Sequence, residues 1–159
     1  RFGLTLALAQ WLVFGGLLLA VSLTDGAKRI IPDKLLIAMA VNRVVWLFAL
    51  GQPLWDTVKG MLASGIIPAA LLAFVLLAEK VLGREAMGGG DIKLLLAMAF
   101  YLSWPELLLT LLGGCLLGII GAAAARKTGA IPFGPYLAAA GVLAVCFGGP
   151  LVSWYLGLF

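Results

Sequence analysis

The run MGGGDIKLLL, Met87 to Leu96, sets three glycines against an aspartate and then turns apolar. The apolar stretch that opens at Ile92 continues only to Trp104. About 13 residues make about 20 Å of helix, against about 30 Å for a bilayer's hydrocarbon core. Gly88, Gly89 and Gly90 are expected to supply the difference by entering the membrane as irregular backbone, which survives there only when buried in protein or beside a wet cavity. Glycine tolerates positive φ and lets another chain come close. A helix opening at Asp91 would also turn its positive end and unpaired N–H groups toward a carboxylate. A simpler role stays open, with Asp91 as the N-cap of a helix at the interface.

The rest of the chain is as apolar as that run. Of its 159 residues 64% are hydrophobic and 11% charged, with a mean hydropathy of +1.15, where soluble domains carry roughly 45–50% apolar residues. The chain therefore reads as an integral membrane protein. A cleaved signal peptide does not account for apolar segments that recur along the whole length, and a start at Arg1 in place of Met suits a piece of a longer protein. The 11 Lys and Arg exceed the 7 Asp and Glu but lie scattered in short loops, which suits membrane topology and not nucleic acid. Cys115 and Cys146 stand singly in apolar runs, and with no CxxC pair and no histidine neither a zinc nor a haem site is expected.

Apolar spans fall at 4–23, 35–50, 57–82, 92–104, 106–125 and 132–158. Each must be helical, since an open strand leaves backbone groups unpaired in lipid. The expected fold is all-α and polytopic, with about six transmembrane helices in a single membrane domain over 1–159. Glycines inside the spans, in GGLLLA and LLGGCLLG, suit close helix packing. The first, third and fifth connections hold Lys28, Arg29 and Lys34; Lys80, Arg84 and Lys93; and Arg126 and Lys127. Of the others, the second holds Lys59 and the fourth none. Cationic loops stay in the cytoplasm, so the odd connections face it and the termini face away. Asp25 and Asp91 then both stand at cytoplasmic helix ends, where two acids brought together in a dry site cannot both ionise cheaply. One ionised and one protonated carboxyl can activate water and polarise a carbonyl, as aspartic proteases do. Paired intramembrane acids also serve proton-coupled transporters, and a purely structural subunit is the third possibility.

Three stretches carry a resemblance. GGGD at Gly88 to Asp91 fits the GxGD pattern of intramembrane aspartyl proteases, and DGAKRIIPD at Asp25 to Asp33 is similar to the first-aspartate motif. IPFGPYLAAAG at Ile131 to Gly141 resembles the segment opening the last helix of bacterial type IV prepilin peptidases. The chain is identified as a member of that family, also called type IV leader peptidases. Another GxGD protease, of the presenilin kind, usually shows Tyr before the first Asp, where this chain has Thr24.

The resemblance implies that Asp25 and Asp91 are catalytic and that Gly88 and Gly90 are the motif glycines. By the same likeness Lys93 and Glu85 support the loop or dock substrate, with no metal and no cofactor for proteolysis. Pro32 and Asp33 suit a turn and helix start. The family cuts the basic leader from prepilins and pseudopilins of type IV pilus and type II secretion systems, after a glycine, at the cytoplasmic face of the bacterial inner membrane. Glu79 and Glu85 are the acids that would attract such a leader. Many members also have an N-terminal region with paired CxxC motifs and methylate the new N-terminus. This chain lacks that region, and RFGLT resembles the point where the catalytic portion begins, so S-adenosylmethionine is a cofactor only if methylation is retained. Implied partners are prepilin substrates and membrane lipid, with no nucleic acid.

Other polar residues have smaller roles. Gln10 is expected to make an interhelical hydrogen bond, and Arg43 with Asn42 to pair or snorkel within the second span. Trp11, Trp46, Trp55, Trp104 and Trp154 read as interfacial anchors. Lys127 and Arg126 set orientation, and the PFGP prolines and glycine bend the last helix near the acids.

Overall fold

The first helix does not stop where its apolar run stops. In the computed structural model, which describes residues 6–83, 87–125 and 132–157, α1 spans Leu6–Lys28 and carries Thr24 and Asp25 in its closing turns. Thr24 turns its hydroxyl back onto the carbonyls of Ala20 and Val21, each at 2.9 Å, so its polar group is satisfied within the helix. The Arg29 N–H meets the Asp25 carbonyl at 2.8 Å, and Arg29 ends the helix in the left-handed region at φ 54°.

The remaining elements are α2 at Asp33–Ala49, α3 at Leu54–Leu82, α4 at Gly89–Ala99, α5 at Trp104–Ala125 and α6 at Gly134–Leu143. A π-helical stretch, Ala144–Gly148, then leads into α7 at Gly149–Leu156. There is no strand among the described residues. Gly83 closes α3 at φ 66° and donates to the Glu79 carbonyl at 2.8 Å, a left-handed cap that suits glycine. At the start of α5, Glu106 takes both the N–H and the hydroxyl of Ser103, at 3.1 and 2.8 Å. With Pro105 behind it, this is a capping-box arrangement that fixes where α5 begins.

Among the described residues four segments are long and apolar enough to cross a membrane: Ala7–Lys28, Leu54–Leu82, Trp104–Ala124 and Gly134–Trp154. The expectation of about six spans is therefore met in helix number but not in length. α2 has 17 residues and α4 only 11, or about 16 Å for α4. α4 can be this short because it is shielded, packing against α2, α3, α5 and α6. Its Leu94, Leu95 and Met98 are fully buried with Phe14, Leu18, Met39, Leu107 and Leu137. The outer faces are the reverse of a soluble protein's, with Leu12, Phe48, Phe74 and Ile119 exposed. Lipid and side chain are alike apolar there, so tight interior contact and buried hydrogen bonds hold the helices together.

The polar links gather beyond the C-terminal end of α4. The Tyr101 hydroxyl donates to the Met39 carbonyl and accepts from Asn42 Nδ2 at 2.9 Å, while its ring stacks on Phe14 with centroids 4.1 Å apart. Ser64 Oγ donates to the Leu102 carbonyl and Arg43 Nε to the Phe100 carbonyl, each at 2.8 Å. Arg43 thus places a cation on the Phe100 carbonyl, at the negative end of α4. Arg43→Ala should lower stability by about 2 kcal/mol, measurable as unfolding in mixed micelles; an unchanged transition would mean that water replaces the bond at no loss.

Two expectations are corrected. Gln10 is buried, but its Nε2 has no hydrogen-bond partner among the described residues. Trp11 departs from a purely interfacial anchor, being half-buried and packed edge-on to Phe14 at 5.8 Å against the core. The helix directions nevertheless bring Trp46, Trp55, Trp104 and Trp154 to one end of the bundle, while Lys28, Arg29, Lys34, Lys80 and Lys93 stand at the other.

Candidate active site

At the cation-rich end the last turn of α1 meets the start of α6, and α4 begins at the same end. Asp25, in the last turn of α1, is only 6% exposed. Its Oδ2 accepts the backbone N–H of Gly134 at 3.0 Å. Gly134 is the first residue of α6 and leaves no room for a side chain, because a Cβ there would lie 2.6 Å from Asp25 Oδ2. Pro135 follows, next to Gly26 on α1, with its Cγ 4.0 Å from where a Gly26 Cβ would be.

Asp91 is the third residue of α4 and is half-buried. The glycines before it do not behave as irregular, positive-φ backbone. Gly88 is the extended N-cap at φ −64°, Gly89 and Gly90 are already helical, and the positive-φ glycines among the described residues are Gly51 and Gly83. The helix therefore opens two residues before Asp91, with the Asp91 N–H on the Gly88 carbonyl at 3.0 Å. What the glycines provide is close approach. A Cβ at Gly90 would sit 3.3 Å from the Ile31 side chain, and one at Gly88 would sit 3.2 Å from Asp91 Oδ2. The simple capping role for Asp91 falls to Gly88.

The Asp91 carboxyl accepts no hydrogen bond from the described residues. α4 is not one of the four spanning segments, and within it burial, then the nearby charge of Asp25, push the Asp91 carboxyl up to about 6. A carboxyl that is harder to ionise in the folded state favours folding fully below its unfolded value near 4, and loses that advantage as pH rises through about 6. Asp91→Asn should therefore unfold at higher temperature than the parent at pH 7.5, and at the same temperature at pH 4. With Asp91 half open to solvent the difference is on the order of 1 kcal/mol; equal melting at both pH values would mean that Asp91 ionises freely.

The other expected site residues fall nearby but apart from this pair. Pro32 is the N-cap of α2, and Asp33 opens that helix. Asp33 Oδ1 is paired with Lys93 Nζ at 2.9 Å, both side chains largely exposed, so this ion pair ties α2 to α4 at the surface. Glu85 lies outside the described residues, as do Arg84, Arg126 and Lys127. Gly134 is the member that the sequence reading missed in this role. PFGP was expected only to bend the helix, because a backbone N–H leaves no mark in a sequence, though a Gly-Pro pair at a helix start was the available sign.

Comparison with known proteins follows the same residues. The profile described as the Type IV leader peptidase family matches residues 12–123, a stretch that includes Asp25 and Asp91. Among individual relatives, the "Prepilin leader peptidase/N-methyltransferase" of Aeromonas salmonicida (strain A449) is 37% identical over 147 residues, covering 87% of this chain and 49% of the relative. The protein of that name from Pseudomonas putida is 34% identical over 155 residues, 93% of this chain and 53% of the relative. The one from Bacillus subtilis (strain 168) is 32% identical over 168 residues, 98% and 62%. The chain thus spans about half the length of the curated relatives it matches. No solved structure matches it.

Proposed function

The chain belongs to the type IV leader peptidase family, and on that premise we propose that it is a membrane-embedded aspartyl endopeptidase, a single catalytic domain over 1–159, that removes the leader from prepilins or pseudopilins. Asp25 and Asp91 are the acids that activate water, while Gly90 lets the start of α4 pack against Ile31 in the α1–α2 connection and Gly88 leaves room for the Asp91 carboxyl. The observation that supports this reading is that Asp25, in the last turn of α1, and Asp91, in the first turn of α4, stand at the same end of the bundle, with the Asp25 charge adding to burial in raising Asp91. Neither a nucleophilic side chain nor a metal is needed. One carboxyl is ionised and takes a proton from water as its oxygen bonds to the scissile carbonyl carbon, while the protonated partner gives its proton to the carbonyl oxygen. The resulting gem-diol collapses as the carbon–nitrogen bond breaks. Nitrogen leaves with the proton first taken from water, and the diol returns one proton to the second carboxylate, so both acids end as they began.

Location supports the substrate class. The acids stand with Lys28, Arg29, Lys34 and Lys80, the cations that mark a cytoplasmic face of the inner membrane, where a newly made leader would arrive. The apolar helix of a prepilin would remain in lipid while the bond ahead of it reaches the pair. Lys93 and Asp33 brace the α4 start from the surface, and Glu85 is the acid nearest in sequence to the motif for meeting a basic leader.

The relatives' names also include methyl transfer. S-adenosylmethionine needs a roomy pocket with polar groups for its charged and adenine ends. Three cavities among the described residues, of about 360 to 430 Å³, are lined by residues such as Leu12, Phe14, Ile119 and Phe133. A more polar one beside Arg43 holds about 140 Å³. These four cavities do not fit that cofactor, and no step through it is assigned to their residues.

The test is incubation of the chain, in micelles, with a peptide made of a basic leader, a glycine and an apolar helix. One cut after the glycine is expected by mass spectrometry. An intact peptide beside well-folded protein would overturn the proposal and favour a proton-relay role for the two acids.

A further inference from the structure

We propose that Gly134 is a positioning residue whose backbone N–H holds Asp25 as the ionised, water-activating member of the pair, leaving Asp91 as the member that carries the proton. This rests on the peptidase assignment for its consequence, though not for its geometry. Four features lead to it. α6 presents few free amides at its start: the N–H groups of Tyr136 and Leu137 both return to the Phe133 carbonyl, at 3.1 and 3.0 Å, and Pro135 has none. The N–H of Gly134 is the one directed off the helix, and Asp25 Oδ2 receives it at 3.0 Å. The positive end of α6 therefore acts on one carboxylate oxygen. Second, the contact is closed to alternatives, since a Cβ at position 134 would lie 2.6 Å from Oδ2 and 3.0 Å from Cγ of Asp25.

Third, the two acids differ in surroundings. Asp25 is almost fully buried, and a buried carboxylate keeps its charge only where donors compensate for lost water. Asp91 has no such donor among the described residues, and burial and the Asp25 charge act together to keep its proton on. Fourth, only one oxygen of Asp25 is taken by Gly134, so the other is left for water. α1 brings Lys28 and Arg29 to this end, and α2 brings Asp33 and Lys34, with Asp33 paired to Lys93 of α4. α3 ends in Lys80 and Glu79, and α6 contributes the phenol of Tyr136. Of these elements only α6 supplies a hydrogen bond to either carboxyl among the described residues.

The role follows from the donor. An N–H favours the charged form of its acceptor and is wasted on a protonated oxygen. The partner that must accept a proton from water is thus the one a fixed dipole has prepared, with no reorganisation at the moment of reaction.

The test reads protonation directly and needs no substrate. Infrared difference spectra of the full chain in micelles at pH 5, parent minus Asp25→Asn and parent minus Asp91→Asn, isolate the carbonyl stretch of a protonated carboxyl. We expect the band to vanish with Asp91→Asn and to persist with Asp25→Asn, where burial alone still protects the Asp91 proton. Loss of the band with Asp25→Asn, with both variants or with neither overturns the assignment. Gly134→Ala adds the kinetic arm. Cleavage of the leader peptide should fall about 100-fold, in kcat and not in KM, and the acid limb of its pH profile should move to higher pH. An unmoved acid limb in folded Gly134→Ala would show that the glycine only packs. If this variant does not fold, the infrared pattern still decides. If the parent cuts nothing, the peptidase assignment fails while the infrared result stands by itself.

Discussion

Leader cleavage is expected to fall by about 10³- to 10⁴-fold in Asp25→Asn and in Asp91→Asn, with both variants still folded. The magnitude comes from the division of labour between the two acids. A water molecule is too weak an acid to attack an amide without a base beside it, and an amide carbonyl is too poor an electrophile without a proton donor. Removing either carboxyl halts the same step, so the double variant should be no slower than the single ones. Asparagine is the informative replacement for structural reasons. At position 25 its amide oxygen can still accept the Gly134 N–H, so the junction of α1 and α6 keeps its hydrogen bond. At position 91 it removes a carboxyl that burial already disfavours in its charged form. The measurement is single-turnover cleavage, with unfolding of each variant followed in the same micelles. Full activity in either folded variant would remove that acid from the mechanism, and losses that merely track unfolding would reduce the pair to a structural feature.

How far the molecule could be read beforehand depends on which residues leave chemical traces. Asp25 and Asp91 stand out in the sequence as candidates because a carboxylate at the end of an apolar run is costly, and because the two stretches that carry them fall, with IPFGPYLAAAG, in the order of the resembled family. Helix ends were less legible. Hydropathy marks where lipid stops, and α1 continues past it to Lys28 because Thr24 satisfies its hydroxyl on its own helix. α4 was expected to open at Asp91 but opens at Gly89, since Gly88 takes the extended N-cap position. Its early end at Ala99 was masked by Phe100, Tyr101 and Leu102, which are apolar but pack as a turn held by Arg43 and Ser64. The Gly134 contact was the least legible. It joins a side chain to a backbone group 109 residues away, and nothing in composition or periodicity points from one to the other.

The glycine pairs show the same limit and lead to the second large effect. GGLLLA in α1 and LLGGCLLG in α5 looked equivalent, yet neither Gly15 nor Gly16 has any heavy atom within 4 Å of an added Cβ. Gly113 and Gly114 face α6 closely. A Cβ at Gly113 would sit 3.3 Å from Ala140 Cβ, and one at Gly114 would sit 3.1 Å from Leu137 Cδ1 and 3.3 Å from its Cα. A side-chain neighbour can rotate away, but a Cα moves only with its helix. Gly114→Leu should therefore drive α6 off α5 and lower stability by about 3 kcal/mol, at the upper end of what overpacking does. Gly16→Leu, facing open space, should stay within about 0.5 kcal/mol of the parent. Reversible unfolding in mixed micelles reads both, and a Gly114→Leu protein as stable as the parent would mean that the helices do not meet there. The loss should reach the acids as well. α6 begins at Gly134, so a helix displaced at Leu137, one turn along, withdraws the N–H from Asp25. Any folded fraction of Gly114→Leu should accordingly share the altered pH profile of Gly134→Ala, whereas Gly16→Leu should cleave like the parent. Close packing between α5 and α6 and the charge state of the buried acid are then one property, set by how near a glycine lets two helices come.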